Sequence, residues 1–167
     1  MTEQQNPLLP FYKGWGTYQE LLIKAIEPLS LDQLSLRAAP HLRSIGENVL
    51  HIIGCRAYWF TDFLGEDCDE EMKVYAGWNE VALALGAPVP TAAELAQGLD
   101  YTWQFMADCL ARWSPADMHQ TFPDDWDGKQ VDLSRSWVVW HVIEHDLHHG
   151  GELSFTLGMQ GLTGIDI

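Results

Sequence analysis

Four segments of this 167-residue chain carry apolar residues at three- and four-residue spacing, each bounded by residues that start or stop a helix. The first carries Phe11, Tyr12, Trp15, Tyr18, Leu21, Leu22, Ala25 and Ile26 and ends near Pro28. The second opens at Ser44-Ile45-Gly46-Glu47, a capping box in which the serine accepts from the third helical amide and the glutamate reaches back. It runs through Asn48, His51, Cys55, Tyr58 and Trp59 to about Phe63 or Leu64, where Gly65 suits a left-handed cap. Thr91-Ala92-Ala93-Glu94 caps the third, which carries Leu95, Leu99, Trp103, Met106 and Leu110 until Ser114-Pro115 stops it. Ser134 caps the last, which begins at Trp137 or just before and closes between Thr156 and Gly158. No strand run or repeat interrupts this pattern, so an all-α chain is expected, an up-down four-helix bundle with long connections forming one domain over residues 1–167.

The connections read as turns and loops. Pro7 to Pro10 form a loose entry, Ser30 to Leu34 a short capped turn, and Ala39 to Arg43 an extended link constrained by Pro40. Glu66 to Glu71 is an acidic loop that reads as solvated surface, since it lacks the alternating oxygen ligands and turn glycine of a calcium loop. Gly86 to Pro90 is a break, and Asp127-Gly128 within the span from Pro123 to Asp132 signals a turn or small hairpin.

A net charge of -15 argues against nucleic-acid partners, which are held by Lys and Arg displacing counterions, and against an anionic membrane surface. The 3 cysteines, Cys55, Cys68 and Cys109, are widely spaced and lack a CxxC pair, so neither a disulfide framework nor a thiolate zinc site is expected. With no signal peptide and no apolar stretch of spanning length, a cytoplasmic location is expected. The 8 tryptophans suit a core, a ligand pocket or a subunit interface.

Chemistry concentrates in the last segment, where His141, His145, His148 and His149 fall within Trp140-His141-Val142-Ile143-Glu144-His145-Asp146-Leu147-His148-His149. On a helix, residues four apart lie about 40° apart around the axis, so His141, His145 and His149 form a row. Imidazoles at this spacing are able to bind one borderline cation, but two donors seldom suffice. In a bundle the further donor comes from a facing helix, and His51 is the natural one. Three imidazoles with open positions for water match a catalytic zinc-type site, and nickel accepts the same donors.

Two runs carry a family resemblance: Arg43-Ser44-Ile45-Gly46-Glu47-Asn48-Val49-Leu50-His51-Ile52, and Trp140 to His149 followed by Gly150-Gly151-Glu152. Together with the order of helices, they resemble the DinB-like superfamily of metal-dependent four-helix-bundle proteins. The resemblance implies a bundle, often dimeric, whose metal is held by one histidine of the second helix and a late HxxxH pair. In this chain these are His51, His145 and His149. It implies a divalent metal cofactor, zinc or nickel, and a small-molecule substrate. Related members include transferases and isomerases that use a low-molecular-weight thiol. Many relatives carry Arg-Gly-Gln after the last ligand, where this chain has Gly150-Gly151-Glu152.

Other residues divide between chemical and structural roles. Glu152 projects toward the ligand face, as a candidate base or an orienter of a ligand imidazole, or as a helix-end carboxylate. Glu47 is a second such candidate already explained by its cap. Tyr58 is a substrate hydrogen-bond donor or, more often for an interior Tyr, a structural residue, and Cys55 a nucleophile or fourth ligand or, preferred, a small buried filler. His141 and His148 are read as surface or supporting groups, and His41 and His119 as solvated loop residues. Trp126 and Asp124-Asp125 lie in a connection long enough to cover the metal mouth. Trp140, Ile143 and Leu147 on the back of the final helix suit a homodimer contact. The expected function is a metal-dependent transferase, isomerase or hydrolase acting on a small molecule; the rival is a metal-stabilised binding or stress-response module without turnover.

Overall fold

Capping side chains open the second, third and last of the expected helices at the places the sequence marks. Ser44 Oγ accepts from the Glu47 amide at 3.2 Å, and Glu47 Oε2 accepts from the Ser44 amide at 2.7 Å. Thr91 with Glu94 repeats the arrangement, and Ser134 Oγ accepts from the Trp137 amide. The computed structural model describes residues 8–82, 85–86, 88–126 and 128–167. Pro7, Ala87 and Asp127, assigned above to connections, lie outside the described residues.

In chain order the helices are α1 (Lys13–Ile26), α2 (Leu31–Leu34), α3 (Ile45–Tyr58), α4 (Glu70–Val81), α5 (Ala92–Arg112) and α6 (Arg135–Met159). A 3-10 turn, Leu9–Tyr12, precedes α1, and α3 runs on into a π-helical turn, Trp59–Phe63. Gly65, at φ +71°, then ends the segment as expected. Between α5 and α6 lies an antiparallel hairpin, β1 (Thr121–Trp126) with β2 (Lys129–Ser134), in which Trp126 faces Lys129 and Gly128 turns at φ +76°. The fold is a helical bundle with one small two-stranded sheet. No described helix is long and apolar enough to cross a membrane.

One element departs from the sequence reading. The acidic run is a loop only as far as Asp69, whose side chain accepts from the Met72 amide and starts α4. Glu70 and Glu71 occupy the first turn, where negative charge complements the exposed amides of a helix start. Behind them Met72, Tyr75 and Ala76 are buried at helical spacing. Glu66 is not plain solvated surface either: it is half-buried, pairs with Arg112, lies 3.4 Å from Arg135 and accepts from Trp113 Nε1 at 3.2 Å.

The long helices meet across two apolar clusters. Leu22, Ile26, Ile52, Ile53, Leu95, Leu99, Leu153 and Leu157 fill one, and Trp15, Phe60, Met106, Leu110, Val138 and Val142 fill the other. An ion pair is buried with them. Arg56 of α3 and Asp146 of α6 are each 0% exposed, with Nη2 and Oδ2 2.7 Å apart. Trp15 Nε1 donates to Asp146 at 2.7 Å, and Arg56 Nη1 donates to Gln19 Oε1 at 2.6 Å. This network ties α1, α3 and α6 together. Because Asp146 is locked inward, its chain neighbour His145 is held in register against α3.

Candidate metal centre

His51 comes from α3, and His145 and His149 from adjacent turns of α6. One ring nitrogen from each lies within 4.8 Å of the others, and all three residues are half-buried. The Nε2 atoms of His51 and His145 are 3.0 Å apart. Two imidazole nitrogens bound at about 2.05 Å to one tetrahedral ion lie about 3.3 Å apart, so the spacing suits a shared cation after a small adjustment.

The environment keeps these rings neutral. His51 is lowered to about 4, by burial first and then by the charges of Arg43 and His149. His145 is lowered to about 2 by burial and by the positive charge that its neighbouring imidazoles and Arg43 would place beside it. His149 is lowered by burial, against the opposing pull of Glu152. Neutral imidazoles expose lone pairs, the form in which histidine binds metal. His149 Nδ1 is 2.8 Å from Glu152 Oε2, so that nitrogen carries the proton and Nε2 is left for the cluster. The Nδ1 atoms of His51 and His145 are buried without hydrogen-bond partners among the described residues. One imidazole is therefore oriented by a carboxylate and two by packing, and the donor set fits a borderline divalent cation.

Burial raises the Glu152 pKa, but the hydrogen bond to His149 and the charges of His149, His148 and Arg43 leave it below the usual carboxylate range. Its other oxygen lies 3.3 Å from His148 Nε2, and His148 is exposed. Glu152, His148 and His149 thus form a second, more open group on the rim.

His141 lies beside the cluster and does not join it. Its ring stacks on Trp137 at 5.0 Å and 9°, meets Trp59 at 4.9 Å and lies 6.3 Å from His145. Trp126 of the hairpin meets Trp137 edge-on at 5.3 Å, which extends this aromatic wall to the surface. The π-helical turn supplies Trp59 and Phe63 to the same side. Tyr58 is half-buried, and burial followed by Asp124 and Asp62 pushes its hydroxyl up, so it stays protonated.

Glu47 is committed elsewhere, accepting from Arg37 at 2.5 and 2.6 Å, from the Ser44 amide and from the Gly86 amide at 2.6 Å. Burial opposes its ionisation, but these donors hold the carboxyl below the usual range. Cys55 is 4% exposed, and burial, followed by Asp146, pushes its thiol well up, so it is an inert filler. His41 and His119 are exposed and outside the cluster.

Sequence reasoning missed Asn48 and the cationic side chain of Arg43, both of which line a recess of about 360 Å³ with Glu152 and Phe155. It also missed the Arg56–Asp146 pair. A signal existed for that pair, because Arg56 follows Ile52 and Ile53 at the spacing of a buried face.

Fold and site define a helical bundle that gathers three histidines from two facing helices beside an open recess. The chain belongs to the DinB superfamily, whose family model matches residues 17–153. Among solved structures it is similar to a DinB-like protein from Bacillus cereus, with 23% identity and a TM-score of 0.72, over 94% of this chain and 95% of that one. That likeness concerns the fold. None of the curated proteins compared matches the chain.

Proposed function

We propose that the chain is a metal-dependent enzyme whose divalent ion, zinc or nickel, is held by His51, His145 and His149 and acts on a small molecule. The observation that carries the reading is the convergence of three neutral, half-buried imidazoles within 4.8 Å, drawn from helices that the core holds in register. A bound divalent ion with three protein donors keeps positions for water or substrate, where it acidifies a water or thiol or polarises a carbonyl.

The protein's own groups give that centre its shape. Glu152 fixes the tautomer of His149 through Nδ1 and is a positioning residue. Its lowered pKa makes the carboxylate a weak proton acceptor at neutral pH, so proton transfer falls to a bound water or to the substrate's own leaving group. The aromatic wall of Trp59, Trp137 and His141 excludes water on one side, and the recess admits substrate on the other. Group transfer to or from a low-molecular-weight thiol, isomerisation and hydrolysis are all reactions that such a centre serves.

Elemental analysis tests the centre. Replacing His51, His145 or His149 by Ala should abolish stoichiometric metal, and replacing His41 or His119 should leave it intact. Equal metal retention in all five variants would overturn the assignment. For activity, the metal-loaded protein is screened against electrophiles with several small thiols. Metal-dependent conjugation supports the enzyme, whereas tight ligand binding without turnover across the panel supports a non-catalytic binding module.

A further inference from the structure

The recess beside the histidines contains polar groups that do not satisfy one another. Arg43 is half-buried on its wall, yet forms no ion pair among the described residues. Its side-chain hydrogen bond is a long one, from Nε to the carbonyl of Ala82 at 3.5 Å. A guanidinium offers five donors in a planar fork that matches a carboxylate. Its charge is felt at His51, His145, His149 and Glu152, so it lies within electrostatic reach of the same site.

Asn48 adds an independent observation. It is 3% exposed and lines the recess, and its Oδ1 has no hydrogen-bond partner among the described residues. A buried acceptor left unpaired is costly, so such a group in a concave site is explained by a donor that arrives with a ligand. Glu152 stands on the same recess but is engaged by His149 and His148. Leu85 and Phe155 supply its apolar surface.

We propose that the recess binds a substrate carboxylate on Arg43 and an adjacent substrate N–H on Oδ1 of Asn48, with the substrate's reacting end over the three histidines. The inference rests on the metal-centre reading for that reacting end, and it adds the chemical class of the rest of the molecule, a carboxylate flanked by an amine or amide N–H. Charge favours it. Arg43 and a divalent ion outweigh Glu152, so an anion is attracted, while one guanidinium beside one carboxylate suits a monoanion better than a phosphate dianion.

The test uses the full chain loaded with cobalt(II), whose thiolate charge-transfer absorption reports ligand binding without turnover. Four thiols are titrated: 2-mercaptoethanol with neither group, 3-mercaptopropionate and 4-mercaptobutanoate with a carboxylate at two reaches, and N-acetylcysteine with a carboxylate and an adjacent N–H. One of the two simple mercaptocarboxylates should bind about tenfold more tightly than 2-mercaptoethanol, as expected for one charge-assisted contact. N-acetylcysteine should bind more tightly again.

Arg43→Gln should erase the carboxylate preference, so that the mercaptocarboxylates and 2-mercaptoethanol bind about equally, while the protein still takes up cobalt. Asn48→Leu should remove only the added gain of N-acetylcysteine. Equal affinity of the wild type for all four thiols, or a full preference surviving Arg43→Gln, overturns the recess proposal with the metal centre intact. A wild type that takes up no cobalt overturns the metal centre and the proposal with it. Should Asn48→Leu fail to fold, the half-buried Arg43→Gln still decides the carboxylate arm.

Discussion

His145 must give up more than any other histidine of the cluster to become charged, because it is the most deeply held and has His51 and His149 beside it. Its pKa of about 2 in the folded protein, against 6.5 unfolded, fixes the sign of a pH effect. Below 6.5 the unfolded chain binds the proton that the folded one refuses, so stability is lost as the pH falls. For one fully resistant histidine the slope is at most about 1.4 kcal/mol per pH unit. His51 adds to the effect between 6.5 and about 4, weakened by its partial exposure. Chemical denaturation of the metal-free protein should therefore give a lower midpoint at pH 5 than at pH 7, and His145→Gln should flatten that difference. A pH-independent midpoint over this range would show that the rings are not held neutral. Glu152 acts at the same scale. Glu152→Gln keeps a hydrogen bond to His149 but removes the negative charge, and should weaken metal binding by about 10- to 100-fold, measured by competition with a chelator. Unchanged affinity would leave Glu152 a rim carboxylate.

Elements were legible where caps and periodicity agreed. The starts of α3, α5 and α6 follow from Ser44, Thr91 and Ser134, each of which caps as its sequence context implies. Gly150 packs closely on α1, where an added Cβ would sit 2.1 Å from the Tyr18 hydroxyl. The histidine cluster was legible because four-residue spacing on α6 demands a donor from a facing helix. Two things were hidden. In α4 the acidic first turn masks a short buried face of Met72, Tyr75 and Ala76, so local charge outweighed periodicity. The recess was hidden because Arg43 and Asn48 acquire meaning only when the start of α3 packs beside Glu152 and Phe155 of α6. The α3–α4 contact makes its own prediction. A Cβ on Gly54 would lie 2.3 Å from the backbone nitrogen of Asn79, where no side chain can yield. Gly54→Ala should destabilise the fold by about 1–3 kcal/mol, read as a fall in the thermal midpoint. Gly151→Ala, with nothing within 4 Å of the added carbon, should instead be neutral or slightly stabilising through helix propensity. A reversed order would mean that α4 does not pack on α3 in this way.

For the molecule as a whole, the inner and outer faces of α6 pose different problems. Inside, Asp146 neutralises Arg56 at the meeting of three helices. Asp146→Ala leaves that guanidinium buried without its counter-charge, at a cost of about 3–5 kcal/mol. Because His145 is its neighbour, metal affinity should fall together with stability. Outside, Trp140 is 59% and Leu147 46% exposed, and seven residues along a helix place them about 20° apart on one stripe. Ile143 is half-buried against the core and contributes less to that stripe. Two large apolar side chains in line on a long helix suit a symmetric contact with a second copy, each stripe lying against its equivalent. The net charge of -15 opposes that association, since both copies carry it. Screening shortens the reach of this repulsion to about 8 Å at physiological ionic strength, so salt should strengthen the dimer rather than weaken it. Sedimentation should give twice the chain mass at micromolar concentration in moderate salt, shifting toward one chain mass as salt is removed. Leu147→Glu should yield one chain mass at all salt concentrations while metal content is kept, because the stripe lies opposite the histidines' buried neighbours. One chain mass for the wild type under all of these conditions would leave Trp140 and Leu147 as isolated surface residues and remove the case for a dimer.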